Sequence, residues 1–160
     1  MTFQPMSCNS DKLAEKLEST RWAIDFNWNQ ICKISERMKA YSASAGDTLF
    51  EEGSKDGTMG ILLKGRLNIM KLDDFGVKTE LATLSRAQSF GEMSLLDDEP
   101  RSASIEAATD VEVLLLTRAS LFKLVDSNPS LAFKLLWSIS KLLSQKLRQT
   151  SGRYLHELHH

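Results

Sequence analysis

Phe90-Gly91-Glu92-Met93-Ser94-Leu95-Leu96-Asp97-Asp98-Glu99-Pro100-Arg101-Ser102-Ala103-Ser104 is the stretch on which the fold of this chain turns. Gly91 allows the backbone to approach a second group closely. Met93 to Asp97 can form one or two helical turns, and the start of a helix presents unpaired N–H groups and a partial positive charge that suit a phosphate. Pro100 ends that turn and holds the preceding residue extended. Arg101 then enters a run of small residues, Ser102, Ala103 and Ser104, where a guanidinium is expected to be half-buried. A buried cation without an anion is costly, and a phosphate offers the planar two-point contact that matches it. Glu92, a carboxylate beside an anion site, makes chemical sense as an acceptor for a hydroxyl such as a ribose 2′-OH. Spacing alone leaves a blander alternative open, in which Glu92 pairs with Arg101 and Phe90 is plain core.

On either side of this stretch the hydrophobic pattern changes period. Upstream, Asp11 to Thr20 and Trp28 to Ala40 carry apolar residues at helical spacing, the second through Ile31, Ile34 and Met38. After the Ala45-Gly46-Asp47 turn, short strands are expected at Thr48–Phe50, Met59–Leu63, Arg66–Leu72 and Val77–Leu84. They are separated by the loop Glu52–Gly57, the turn Lys64-Gly65 and a hairpin tip at Asp73–Gly76. Along Arg66–Leu72, Leu67, Ile69 and Lys71 share a face. Downstream, Ala103–Ala108 and Val111–Leu116 read as two more strands. Arg118–Val125 reads as a helix ended by Asn128-Pro129. A longer helix is expected from Ser130 to about Thr150, with Gly152 as its stop. Helices, antiparallel strands, then helices predict an α+β domain: an antiparallel β-barrel of jelly-roll type, flanked by N-terminal helices and a long C-terminal helix. The expected division is a helical segment over 1–40, the barrel over 41–126, and the helix and tail over 127–160.

With those elements in place, the stretch resembles the phosphate-binding cassette of the cyclic-nucleotide-binding family. That family includes the catabolite activator, the regulatory subunits of cyclic-nucleotide-dependent kinases and cyclic-nucleotide-gated channels. Its pattern is Phe-Gly-Glu, two residues, Leu, then Pro-Arg-(Ala/Ser/Thr)-Ala, matched here at Phe90, Gly91, Glu92, Leu95, Pro100, Arg101, Ser102 and Ala103. Ala45-Gly46-Asp47 and Phe50-Glu51-Glu52-Gly53 match two further family turns, and the likeness spans about Tyr41 to Leu147. Where the family often has Gly-Pro-Gly before the cassette, this chain has Ser85-Arg86-Ala87. The resemblance implies that Arg101 binds the exocyclic phosphate oxygens and Glu92 the ribose 2′-OH. It implies that backbone N–H groups near Gly91, Met93, Ser94 and Ala103 complete the cradle, and that Ser102 adds a hydroxyl contact. The base would lie under the C-terminal helix, with Lys146, Gln149 and Thr150 as candidates to cap it. The ligand expected is cAMP before cGMP, and no cofactor is expected.

Composition narrows the remaining classes. The 160 residues carry a net charge of −1, so there is no general attraction for nucleic acid or an anionic membrane. No apolar run approaches the roughly 18 residues of a membrane span, and Met1 to Asn9 is no secretory leader, so a cytoplasmic, membrane-free protein is expected. Cys8 and Cys32 read as reduced thiols. No Ser-His-Asp or Cys-His arrangement is suggested, so no catalytic residue and no enzyme activity are expected. His156, His159 and His160 read as a solvated tail and not as metal ligands. Trp22 and Trp28 are expected to pack the N-terminal helices against the barrel, and Asp97-Asp98 to be solvated. Leu136, Ile139 and Leu143 look surplus to one helical stripe and suggest a homodimer through the last helix. Ser151 to His160 is too short for a DNA-reading module, so no DNA partner is expected. The expected function is a sensor passing ligand binding through its last helix to a partner or dimer. A ligand-independent interaction scaffold and a fragment of a larger transcription regulator are the alternatives.

Overall fold

The computed structural model describes residues 3–158, with side chains to residue 152. Its centre is a pair of strands, β4 (Thr58–Lys64) and β9 (Val111–Thr117), whose apolar runs are buried on both faces. Strands with that burial read as continuous hydrophobic stretches, not as alternating ones. They pair antiparallel, with Gly60 opposite Leu115 and Ile61 opposite Leu114. Alternation then sends their side chains into two different cores. Leu62, Val113 and Leu115 point inward, between two sheets. Met59, Ile61, Leu63, Leu114 and Leu116 point outward, under the helices.

The first sheet has five strands, in the order β1 (Gln4–Pro5), β2 (Lys39–Ala43), β9, β4, β7 (Ser89–Phe90). The second has four: β3 (Thr48–Phe50), β8 (Ser104–Ala107), β5 (Leu67–Leu72) and β6 (Lys78–Leu84). The two sheets form a jelly-roll-like sandwich and are not closed into a barrel. Between β5 and β6 the Asp73 carboxylate accepts from the N–H groups of Phe75 and Val77, both at 2.9 Å, closing the expected hairpin tip.

Helices cover the outer face of the first sheet. α1 (Ser10–Glu18) is capped by Asn9, and α2 (Trp28–Ser35) by a reciprocal Asn27–Gln30 capping box. A 3-10 turn at Arg21–Asp25 joins them. α4 (Arg118–Ser127) begins where β9 ends, and α5 (Pro129–Leu158) runs for 30 residues. Proline at its first position lacks an N–H that would have had no partner there, and the Asn128 side chain accepts from Leu131 N. Leu131, Ala132, Leu135 and Ile139 bury its inner face among Ala14, Leu17, Ile31 and Ile34.

Four expectations are corrected. The helix expected from Trp28 to Ala40 stops at Ser35, and Lys39–Ala43 is strand β2. β9 needs a hydrogen-bonded neighbour on each side, and pairing Tyr41 with Val113 supplies one, overriding a helical spacing that continues to Met38. Gly152 does not stop α5, which continues to Leu158. Trp22 packs against the outer core as expected, whereas Trp28 is 46% exposed. Ile139 is fully buried in the chain's own core, and Leu136 and Leu143 pack partly against it, so they are not surplus. Among the described residues of α5, the large apolar side chains left exposed are Phe133, Trp137 and Leu147. Cys8 and Cys32 are free, partly buried thiols. Among the described residues no cluster of His, Cys, Asp and Glu could hold a metal, and no helix is long and apolar enough to cross a membrane. His159 and His160 lie outside the described residues, as does the side chain of His156.

Candidate functional site

The quoted stretch folds as a strand, a short helix and a loop leading into β8. Phe90 in β7 points inward and packs on Phe50, ring centroids 5.5 Å apart. Gly91 follows at φ +78°, a left-handed conformation that turns the chain into α3 (Glu92–Asp97). Ser94 is buried and its hydroxyl donates to the Glu99 carbonyl, closing the loop that leads to Pro100. At the far end of α3, Asp98 forms long ion pairs with Lys55 (3.8 Å) and Arg118 (3.9 Å).

Arg101 is 5% exposed. Its backbone is pinned to the β3–β4 loop, with Arg101 N donating to Ser54 O (2.7 Å) and Gly53 N donating to Arg101 O (2.8 Å). Its guanidinium lies 3.8 Å above the Phe50 ring centre. Nη1 donates to Gly91 O at 3.1 Å, and Nη2 donates to Asp56 Oδ1 and Thr58 O. Nε is buried with no protein partner. Burial pulls the Arg101 pKa below its usual value, while the negative charges of Asp56 and Glu92 oppose that shift. Glu92 is also buried, yet it does not pair with Arg101: its Oε1 accepts from Lys146 Nζ of α5 at 3.0 Å. The bland pairing left open by spacing is therefore not the one formed.

Gly91, Glu92, Met93, Ser94, Arg101, Ser102 and Ala103 all line one cavity of ≈ 340 Å³. Phe50, Ile69, Leu84, Phe90 and Ile105 form its apolar wall, and Leu143, Lys146, Leu147 and Thr150 of α5 close it. A largely apolar cavity with a few converging polar groups, at the lower end of the roughly 300–1,000 Å³ of small-molecule sites, has the size and lining such sites share. Its floor is braced from outside. Lys71 Nζ donates to Ser102 O (2.7 Å) and to Glu52 (3.0 Å), and the Glu52 carboxyl lies below its usual value because it accepts from Leu72 N and Lys71.

Of the three candidates to cap a base, Thr150 and Lys146 reach this cavity, whereas Gln149 lines a neighbouring groove beside Trp22. Asp56 and Ser89 were not singled out from the sequence. Asp56 sits in a loop that reads only as a turn, although an acid between Lys55 and Gly57 facing a buried arginine is a signal that loop-length reasoning passes over. Ser89 precedes the matched motif by one residue. Its hydroxyl is buried without a partner, a fact that only packing reveals.

Comparison with known proteins agrees with this geometry. The profile of the cyclic nucleotide-binding domain matches residues 41–128. The cAMP-dependent protein kinase regulatory subunit of Aspergillus fumigatus is 38% identical over 86 residues, covering 54% of this chain and 20% of that protein. The cyclic AMP receptor protein of Thermus thermophilus is 33% identical over 104 residues, covering 65% of this chain and 46% of that protein. The chain thus spans less than half the length of these relatives. A crystal structure of a cyclic nucleotide-binding domain from Methylobacillus flagellatus superposes with a TM-score of 0.85 at 24% identity, covering 98% of this chain and 89% of that one, and shows the same fold. A buried arginine with an unfilled donor, a cassette that turns on Gly91 and a matching profile over more than half the chain lead to one assignment: the chain belongs to the cyclic nucleotide-binding domain family, whose members are regulatory domains.

Proposed function

We propose that the cavity binds a 3′,5′-cyclic nucleotide, cAMP before cGMP, and that the chain is a sensor with no catalytic step of its own. The observation that carries this reading is the Arg101 guanidinium: buried, facing the cavity, and left with an unpartnered Nε. A buried cation with a free donor calls for an anionic ligand. Arg101 holds the exocyclic phosphate oxygens, and amides of Gly91, Met93, Ser94 and Ala103 complete the cradle. Glu92 accepts from the ribose 2′-OH, Ser102 contributes its hydroxyl, and the base lies against Ile69, Leu84 and Ile105 beneath α5. The preference for cAMP is supported by the names of the two relatives above. Calorimetric titration of nucleotide-stripped protein with cAMP and cGMP tests it. Micromolar or tighter binding of cAMP, with cGMP weaker, is the expected result.

Asp56 supplies the negative charge opposite Arg101 before ligand arrives, and a phosphate must share the guanidinium with it. Asp56→Asn keeps an oxygen for Thr58 N, 3.0 Å away, and removes the charge. The expected result is cAMP affinity raised about threefold to tenfold, modest because Asp56 is partly exposed and its field is screened. Unchanged calorimetric affinity would mean that the two carboxylate and phosphate positions do not interact.

Ligand binding is passed on through α5, whose outer face also supports a homodimer. Phe133, Trp137, Ser140, Ser144 and Leu147 recur at alternating four- and three-residue spacing, all exposed and all uncharged. That is the seam spacing of paired helices, with two aromatic side chains to bury and two small residues to receive them. The wild-type chain is expected to sediment as a dimer, and Phe133→Ser with Trp137→Ser as a monomer that still binds cAMP. A monomeric wild type across micromolar concentrations rejects the dimer.

A further inference from the structure

The Glu92 carboxylate is already occupied in this structure by a group from another element. Lys146 of α5 reaches over the cavity edge, and its ammonium lies 3.0 Å from Glu92 Oε1 and 3.1 Å from the Ser89 carbonyl oxygen. The two side chains are unequally placed: Glu92 is 5% exposed and Lys146 is 41% exposed. The acid is fixed in the cassette, while the base is a long, flexible arm that can leave for water. Both residues line the same cavity. A sugar hydroxyl donating to Glu92 Oε1 from this cavity would meet an oxygen that the ammonium already engages.

We propose that Lys146 is a specificity-determining residue that competes internally with the ligand's 2′-hydroxyl for Glu92. This deepens the cyclic-nucleotide reading and rests on it. Two consequences follow from the competition. First, the free chain keeps the carboxylate satisfied, so a 2′-hydroxyl gains only the difference between its own bond to Glu92 and the ion pair it displaces. Discrimination between a ribose and a deoxyribose ligand is correspondingly blunted. Second, the displaced ion pair is one of the ties holding the C-terminal half of α5 to the cassette. The 2′-hydroxyl therefore reports directly on the seat of α5, and a ligand lacking it leaves that tie in place. The energetic difference between the two states of the tie is what allows a ligand to shift the helix.

The test uses the full chain as wild type, Lys146→Met and Lys146→Arg, titrated with cAMP and with 2′-deoxy-cAMP. Methionine keeps the apolar stem without the cation, and arginine keeps the cation. Lys146→Met is expected to bind cAMP about tenfold more tightly than wild type. Its affinity for 2′-deoxy-cAMP should stay within about twofold of the wild-type value, and Lys146→Arg should resemble wild type with both. Amide exchange without nucleotide gives an independent reading of the tie: residues 142–150 should exchange faster in Lys146→Met than in wild type. In wild type, cAMP should release Lys146 more than 2′-deoxy-cAMP does, visible as a larger shift of a 15N-labelled lysine ammonium. Weaker binding of both nucleotides by Lys146→Met in equal proportion overturns the proposal, since Lys146 would then be an ordinary ligand contact. An unchanged ratio between the two sugars overturns it as well. If no form binds either nucleotide, the sensor reading itself fails, and the exchange data still show whether Lys146 fastens α5.

Discussion

Arg101→Ala is expected to lower cAMP affinity by roughly 2–5 kcal/mol, about 30-fold to several thousand-fold, when measured by calorimetry. The size follows from what the guanidinium faces. It is 5% exposed, stacked on Phe50 and surrounded by acceptors that fix its plane. A ligand phosphate meeting it has little water to compete with, so the contact is made in a medium of low effective dielectric. The variant should remain folded. Arg101 touches β4 only at its first residue, through the Thr58 carbonyl, and the β4–β9 ladder remains without it; the carboxylate left behind, Asp56, is partly open to solvent and can be hydrated. Arg101→Lys sharpens the test, because lysine retains the charge without the fixed fork of donors. It is expected to fall between alanine and wild type. A melting temperature near wild type with binding lost assigns the effect to the ligand contact. Undiminished binding in Arg101→Ala would remove the phosphate from this pocket altogether.

The second large effect expected is from Gly91→Ala, which acts on backbone and packing together. A β-carbon at this position would lie 2.7 Å from Arg101 Nη1 and 2.8 Å from the Thr58 carbonyl oxygen. The arginine could swing aside only by giving up Gly91 O, and the Thr58 carbonyl belongs to the central strand and cannot move cheaply. The φ of +78° adds left-handed strain that glycine escapes. Together these cost about 2–5 kcal/mol of folding stability, read from chemical denaturation. Nucleotide affinity should fall as well, because the clash displaces the guanidinium proposed to hold the phosphate. Wild-type stability and affinity in this variant would mean that the cassette turn is far more compliant than its contacts indicate.

Much of this site is legible in the sequence because its residues stand close together, although their roles come from the family resemblance and not from spacing, which leaves a Glu92–Arg101 pair open. Gly91, Glu92 and Arg101 lie within twelve residues of one another, and the hydrophobic pattern on either side changes period cleanly. The strands β4 and β9 were found from short apolar runs bounded by turns, and the tip at Asp73–Gly76 from its composition. What stayed hidden is set by partners distant in sequence. β2 directly follows a helical spacing that runs to Met38, and it is a strand because β9 offers an edge. The stripe on α5 was misassigned because the face that looks surplus by spacing, at Ile139, is the face that α1 and α2 bury. Asp56 and Lys146 are separated from the residues they engage by 45 and 54 positions. No periodicity within either segment encodes such a pairing.

The two-sided burial of β4 and β9 also sets how this domain can be cut and reused. Met59, Ile61, Leu63, Leu114 and Leu116 form the outward face of the two central strands, and they are covered by α1, α2, α4 and α5. Trimming the chain to residues 41–126 would strip α1, α2 and α5 from that face and expose much of it as a greasy plateau, the kind of surface that drives self-association. A reporter or a transplanted switch built from this protein must therefore carry its helical coat along. Any fluorophore or fused enzyme is best attached at the β5–β6 hairpin tip, where Phe75 is 91% exposed and the two cores are left untouched.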